Sequence, residues 1–158
     1  ALPLLALLRA LSKDLSIPIV AAGGLMNGGD IAKVIAAGAT AAQLGTAFLC
    51  CDEAGTPATH REVLTDAAAE TVFTSAFSGR PARGVRNTFI EAMAGKPVLP
   101  FPQQNTLTGS LRQWAASAKQ PGFQSVWSGS GVDKIRPMSA AQLMATLKQE
   151  LAQAAIRS

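Results

Sequence analysis

IPIVAAGGLMNGGDIAKVIAAGATAAQLGT, residues 17–46, decides the fold, because it contains two short apolar runs that each end in a glycine-bearing turn. The first run, residues 17–22, is β-branched or small apart from Pro18, which is tolerated at its start, and such a run is typical of a parallel strand buried on both faces. A helical pattern follows, and Gly38 stands where a helix needs a left-handed cap. The second run covers residues 41–44. Strand, helix and strand in this order predict a right-handed βαβ unit in a parallel sheet.

The two glycine turns favour an anion site. At the carboxyl end of a parallel strand, backbone amides point outward, and the N-terminus of the next helix adds partial positive charge. Gly23 and Gly24 have no Cβ and would let a phosphate approach the backbone closely. Gly45 and Thr46 would do the same at the second turn, and in a barrel the two loops would bind one phosphate together. The alternative is that the glycines only permit tight turns, and spacing alone leaves both interpretations open.

The rest of the chain alternates helical patterns with turn-rich segments. Helices are predicted for the opening leucine-rich segment, from near Pro57, over residues 111–119, and after Ser139, where Gln142 completes a capping box. Residues 71–77 predict a strand or extended segment. Residues 78–87, SGRPARGVRN, have the composition of a turn, and residues 95–109 are expected to be irregular. No linker is apparent, so residues 1–158 are predicted to be a single domain or a fragment of a longer protein.

Composition favours a globular core and gives little support to nucleic-acid binding. Of 158 residues, 48% are apolar and 15% are charged, and the formal net charge of +4 comes without a dense Lys/Arg run or any tyrosine. No segment is long and apolar enough to predict a membrane span. Cys50 and Cys51 are adjacent, which disfavours a disulfide between them. We therefore expect two small apolar residues in a reducing compartment, the cytoplasm.

Other polar and aromatic residues offer weaker candidates. Three arginines could bind an anion: Arg80, Arg83 and Arg86. The preferred interpretation is a solvated turn in which these arginines bond carbonyls and carboxylates of the protein. Trp114 and Trp127 could stack on a ring, although large aromatics more often anchor a loop to the core. The acidic residues are scattered and predict no metal site. Ser128 has no neighbouring His/Asp pattern that would make it a nucleophile.

Three motifs resemble the nitronate monooxygenase family, formerly called 2-nitropropane dioxygenases. Residues 17–49 resemble its flavin-binding half, TSAFSGRPARGVRN (74–87) resembles its stretch after the last barrel strand, and SVWSGSGVDKIRPMSAAQL (125–143) resembles its C-terminal segment. The resemblance implies the C-terminal part of a TIM-type (β/α)8 barrel with an appended helical region. The last βα units would reach to about residue 90, and the helical segment would occupy about residues 91–158.

The resemblance also implies an activity and a cofactor. Family members oxidise alkyl nitronates with molecular oxygen to a carbonyl compound and nitrite, using non-covalent FMN. The cofactor-binding residues implied here lie in the two glycine turns: Gly23, Gly24, Gln43, Leu44, Gly45 and Thr46. The substrate would be a small-molecule nitronate with O2, and neither a nucleic acid nor a membrane partner is expected. A homodimer, or an N-terminal half that precedes this chain, would complete the barrel.

Two departures from the family pattern affect what can be carried over. Ser130 stands in WSGSG where members usually have glutamine, so a polar contact made there would change. The family's catalytic histidine lies before these motifs, whereas the single histidine here, His60, falls in an ordinary helical pattern at a surface or helix flank. No catalytic residue is therefore assigned. Two alternatives stay open: another FMN barrel, such as an enoyl-ACP reductase, and a non-catalytic half-barrel that serves as a phosphate-binding or assembly module.

Overall fold

A computed structural model describes residues 2–156, which fall into two compact units. The first consists of residues 2–54 and 134–156, and the second of residues 55–133. The elements in chain order are α1 (Leu4–Asp14), β1 (Val20–Ala22), α2 (Gly28–Ala36), β2 (Ala41–Gln43), a 3₁₀ helix (Thr46–Phe48), α3 (Ala58–Thr65), β3 (Thr71–Thr74), β4 (Ala82–Val85), α4 (Thr88–Ala92), α5 (Gln103–Leu107), α6 (Gly109–Ser117) and α7 (Ala140–Ile156).

The predicted βαβ unit is present in the first unit. Strands β1 and β2 pair in parallel, with Val20 opposite Ala41 and Ala22 opposite Gln43. One face of this pair is covered, because Ala21 packs in an apolar cluster with residues of α1 and α2, including Leu8 and Val34. The expectation that the first strand is buried on both faces is wrong for the described residues: Val20 on the other face is 57% exposed. Both helices pack against the same side of the sheet.

Local hydrogen bonds determine where α2 begins and ends. The Asn27 side chain caps its start by accepting a hydrogen bond from the Asp30 amide at 2.8 Å. The Asp30 carboxylate in turn accepts from the Met26 amide at 3.1 Å. Beyond the helix, Gly38 has φ +104°, which confirms the predicted left-handed cap.

Helix α7 belongs to the first unit and carries the predicted capping box. The Gln142 amide donates to the Ser139 hydroxyl at 3.2 Å, and the Ser139 amide donates to the Gln142 side chain at 3.1 Å. Leu143 and Leu147 are buried in a second apolar cluster of this unit, which also contains Cys51. Cys50 and Cys51 are both buried and not disulfide-bonded, as expected.

The second unit contains a hairpin that the sequence composition did not predict. Strand β4 pairs antiparallel with β3, with Gly84 opposite Val72, so the turn prediction for residues 78–87 is wrong at residues 82–85. A Cβ at Gly84 would lie 2.9 Å from the Val126 carbonyl oxygen and 3.1 Å from the Trp127 ring. This glycine therefore marks a close approach between backbone segments within a strand rather than a turn.

The irregular structure expected over residues 95–109 is also only partly observed. Residues 103–107 form α5, because Pro100 and Pro102 precede it and supply the first carbonyl acceptors, to Gln104 N at 3.2 Å and Thr106 N at 3.0 Å. Proline needs no amide donor at a helix start and is well tolerated there. Inside α5, Gln104 is buried, and its side chain bonds the Ala76 carbonyl at 2.7 Å and the Leu99 amide at 3.1 Å.

Residue 90 lies in α4, within the second unit, so the division expected near this residue does not coincide with the boundary between the two units. The division into barrel and helical segments remains a prediction. Within residues 2–156, no helix combines the length and the apolar character that crossing a bilayer requires.

Candidate functional site

The two glycine turns leave the same edge of the parallel strand pair. Ala22 and Gln43 are the last paired residues of β1 and β2, so Gly23 and Leu44 are the first residues beyond this edge. The six residues predicted to bind a flavin phosphate therefore belong to two adjacent segments of the first unit.

Backbone conformation explains the glycines of the first turn. Gly23 has φ +118° and Gly24 has φ +71°, values that residues with a side chain rarely adopt. Both positions require glycine to form this turn, whatever else they contact. A Cβ at Gly23 would meet no protein atom within 4 Å, so the space beside it is open.

Gly45 in the second turn has no such explanation. Its φ of −116° and ψ of −68° are accessible to other residues, and a Cβ there would meet nothing within 4 Å. Neither backbone strain nor packing among residues 2–156 requires glycine at this position. A ligand that approaches the backbone would require it. In the described part of the chain, the amides of Gly24 and Gly45 donate no hydrogen bond to a protein acceptor.

The other predicted binding residues differ in what they can offer a ligand. Gln43 is exposed on β2, at the strand end opposite Ala22. Leu44 packs its side chain against both apolar clusters of the unit, so only its backbone is available. Thr46 begins the short 3₁₀ helix, whose first backbone bond runs from the Phe48 amide to the Gly45 carbonyl at 2.9 Å.

Two amides at the N-terminus of α2, which we expected to contribute to the anion site, donate to protein side chains. The Gly28 amide donates to Oε2 of Glu150 at 2.8 Å, and the Asp30 amide donates to the Asn27 side chain. An anion at the turns would therefore depend on amides of the turns rather than on these first amides of the helix.

Glu150 also pairs with an arginine from the segment before α7. Arg136 Nη1 lies 2.7 Å from Glu150 Oε1, and Arg136 Nη2 donates to the Met26 carbonyl at 2.8 Å. Burial raises the pKa of Glu150, but the Gly28 amide and the Arg136 guanidinium together outweigh it. The net result is a pKa below the ordinary value of 4.5.

His60 lies on α3 in the second unit and is half-buried. Burial lowers its pKa from the ordinary value of 6.5, while a hydrogen bond with the Gln124 side chain acts in the opposite direction. Its partner Gln124 is buried and also donates to the Ala115 carbonyl at 2.9 Å. These contacts describe a residue that packs α3, in agreement with its assignment to a helix flank.

The three arginines of residues 80–86 all contact protein groups, and two of them, Arg83 and Arg86, bond the kinds of partner that the preferred interpretation predicts. Arg86 forms an exposed ion pair with Glu70 at 2.9 Å. Arg83 donates to the Thr71 carbonyl at 3.2 Å and lies over a phenylalanine ring. Arg80 stacks on another ring, 4.8 Å from its centroid.

The remaining candidates of the second unit have structural contacts. Trp127 meets Phe77 edge to face with a centroid separation of 6.0 Å, and Trp114 meets Phe123 at the same distance. Ser128 is buried and its amide donates to a carbonyl of β4 at 3.2 Å. Ser130 is exposed. Within residues 2–156, no three His, Cys, Asp or Glu side chains come together as metal ligands.

Sequence reasoning missed Arg136 and Glu150. Glu150 lies 122 positions from Gly28, and Arg136 lies 110 positions from Met26. No spacing rule connects residues so distant, and each one alone reads as an ordinary surface charge. Only the fold brings them to the loop that follows the first glycine turn.

Comparison with known proteins identifies the family. The family described as nitronate monooxygenase matches residues 3–150. The chain is 41% identical over 153 residues to a nitronate monooxygenase of Paraburkholderia phytofirmans, covering 94% of this chain and 42% of the relative. It is also 41% identical over 155 residues to a nitronate monooxygenase of Pseudomonas aeruginosa. This match covers 96% of this chain and 44% of the relative. The chain therefore belongs to the nitronate monooxygenase family.

Solved structures agree with this placement. The nitroalkane oxidase of Streptomyces ansochromogenes matches with a TM-score of 0.95 and 44% identity, covering 99% of this chain and 45% of that one. A FabK M276A mutant of Thermotoga maritima matches with a TM-score of 0.79 and 26% identity. This match covers 99% of this chain and 49% of the FabK chain. The chain thus spans less than half the length of these relatives.

Proposed function

We propose that the complete natural protein is an FMN-dependent nitronate monooxygenase and that this chain carries the part of the flavin site that binds the phosphate. In this proposal β1, α2 and β2 are late βα units of a TIM-type barrel. Family membership and the match to a nitroalkane oxidase support the reaction class. The finer assignment of residues comes from the geometry of the two glycine turns.

Gly45 is the observation that carries the assignment. Its backbone is ordinary and its surroundings are open, so glycine there leaves room for a group outside the described protein to approach the backbone. A phosphate oxygen between the Gly24 and Gly45 amides would satisfy two donors that bond no acceptor among residues 2–156. Open space beside Gly23 fits the same occupant. The residues present are therefore compatible with FMN.

The bound flavin would supply the electron chemistry that converts an alkyl nitronate and O2 into a carbonyl compound and nitrite. The residues of this chain would bind and orient it. The turn amides would hold the phosphate, and Gln43 would present an amide side chain on the exposed face of the strand pair. The base that moves the substrate proton would come from the portion of the protein that this chain lacks relative to its longer relatives.

The alternatives are less well supported. Identity to FabK is 26%, against 44% to the nitroalkane oxidase, which favours the monooxygenase over a second kind of FMN barrel. A non-catalytic half-barrel would have to cover the exposed face around Val20 with a second copy or another half. Homodimerisation, or an N-terminal half that precedes these residues, would serve that purpose in either case. A cytoplasmic location is part of the proposal, because the adjacency of Cys50 and Cys51 in the sequence disfavours a disulfide between them.

A charge placed at Gly45 tests the proposal. In the complete natural protein, Gly45→Asp should weaken FMN binding by about 100-fold or more, because a carboxylate would occupy the place of the phosphate and repel it. The isosteric but neutral Gly45→Asn should weaken it less. FMN affinity is measured by titrating the apoprotein and following quenching of flavin fluorescence, and nitrite release from a nitronate is measured in parallel.

Gly55→Asp is the matched control. Gly55 also has open space around it and lies outside the two turns. It should leave FMN affinity unchanged. Equal FMN affinity in wild type and Gly45→Asp would refute the phosphate assignment, and retained FMN without nitrite formation would favour the alternatives.

A further inference from the structure

The loop between the first glycine turn and α2 is held by α7 and by the segment that precedes α7. Arg136 Nη2 donates to the Met26 carbonyl at 2.8 Å, and Glu150 Oε2 accepts from the Gly28 amide at 2.8 Å. The two side chains are joined to each other at 2.7 Å. Loop, arginine and glutamate thus form a closed ring of charge-assisted hydrogen bonds, which are stronger than neutral ones.

Packing at Gly28 reinforces this connection. A Cβ at Gly28 would overlap the Leu151 amide nitrogen and lie 2.5 Å from the Glu150 Cβ and 2.6 Å from the Leu147 carbonyl oxygen. The backbone of α7 therefore sits directly against the first residue of α2. Neither helix can shift along this contact without breaking the bonds to Glu150.

The ring lies a few residues from the proposed phosphate donors. Met26 is 1% exposed and Leu25 is 7% exposed, so the chain between Gly24 and Gly28 is anchored by two consecutive buried residues. Leu25 belongs to the apolar cluster with α1, and Met26 belongs to the cluster with α7. The direction of the Gly24 amide depends on both anchors, and the second includes the bonds from Arg136 and Glu150.

We infer that Arg136 and Glu150 are positioning residues for the flavin phosphate: they fix the loop that aims the first glycine turn without touching the ligand. This inference rests on the proposed function. It assigns the C-terminal helix a role in cofactor affinity, in addition to covering the apolar cluster around Leu143 and Leu147.

The role predicts a loss that is specific to the phosphate. In the complete natural protein, Glu150→Ala and Arg136→Ala should each weaken FMN binding by about tenfold, the equivalent of one charge-assisted hydrogen bond. Binding of riboflavin, which has the same ring system but no phosphate, should change by less than about twofold. Glu150→Gln keeps an acceptor for the Gly28 amide and should show an intermediate loss.

Glu70→Ala is the matched control, since it removes an ion pair of similar length in the second unit. It should leave the ratio of FMN to riboflavin affinity at the wild-type value. An unchanged ratio in all three variants at Glu150 and Arg136, or an equal loss for both flavins, would overturn the positioning role while leaving the proposed function in place. Wild-type protein that binds riboflavin and FMN equally would instead overturn the phosphate assignment itself.

Discussion

Glu150 accepts a hydrogen bond from the Gly28 amide at 2.8 Å across 122 positions of sequence. This bond places a carboxylate at the N-terminus of α2, where the helix dipole favours negative charge. It also joins α7 to the loop between the first glycine turn and α2. Fold stability and the proposed cofactor site therefore share one contact.

Gly28→Ala should destabilise the protein by about 1–3 kcal/mol, because the added methyl group would meet backbone atoms of α7 that cannot rotate away. The measurement is the free energy of unfolding from urea denaturation. Gly109→Ala is the matched control, since Gly109 is also the first residue of a helix and a Cβ there meets nothing within 4 Å. That control should be neutral or slightly stabilising. Equal effects of both substitutions would show that α7 does not press against Gly28.

Glu150 should make stability depend on pH. Its pKa in the folded protein is below the ordinary value of 4.5, so the folded state favours the ionised carboxylate. The resulting stabilisation is fully present above pH 4.5 and is lost as the pH falls through the lower, folded-state pKa. The free energy of unfolding of wild type minus that of Glu150→Gln should therefore be largest near pH 7 and shrink on acidification.

Glu62→Gln, at an exposed position of α3, is the control for this pH series. At this exposed position the substitution should change the free energy of unfolding at pH 7 by less than about 0.5 kcal/mol. A difference for Glu150→Gln that does not vary between pH 7 and pH 3 would contradict the proposed ionic contact.

Gln104, a buried polar residue of the second unit, should be costly to remove. Its side chain satisfies the Ala76 carbonyl at 2.7 Å and the Leu99 amide at 3.1 Å, and it is 3% exposed. Gln104→Ala would remove the hydrogen bonds to the Ala76 carbonyl and the Leu99 amide. It should therefore lower the free energy of unfolding by about 2–4 kcal/mol. Gln103→Ala, at the neighbouring exposed position, should cost less than about 0.5 kcal/mol. Similar losses in urea denaturation would show that water replaces the Gln104 bonds.

Whether a feature could be predicted from the sequence depends on how far apart its interacting residues lie along the chain. The caps at Gly38 and Ser139 were predictable because their partners lie within one helical turn. The close approach at Gly84 was not, since the Trp127 that meets it is distant in sequence and glycine alone suggests a turn. Helix α5 was missed for a related reason: the buried Gln104 donates to the Ala76 carbonyl, which lies 28 positions away.

The candidate site shows the same limit. The two glycine turns and their shared edge were predictable from the alternation of strand and helix. Sequence could not separate Gly24, which the backbone conformation requires, from Gly45, which it does not. Nor could the sequence reveal that the first amide of α2 already donates a hydrogen bond to Glu150. Both facts depend on dihedral angles and contacts that only the folded chain defines.

His60 should be dispensable for catalysis although it is the only histidine of the chain. It lies half-buried on α3, and its side chain is engaged with the buried Gln124. In the complete natural protein, His60→Gln should keep kcat with a nitronate within about twofold of wild type, whereas loss of a general base costs about 10²–10⁴. A fall of that size, with FMN still bound, would make His60 the base.

A stability measurement complements this kinetic test. Burial holds the pKa of His60 below 6.5, so the folded state disfavours its protonation. The unfolded state then binds more protons as the pH falls below 6.5, and stability should decrease in that range. His60→Gln cannot take up this proton and should lose less stability than wild type between pH 7 and pH 5. If the two proteins lost the same amount, burial would not lower the pKa of His60 in solution.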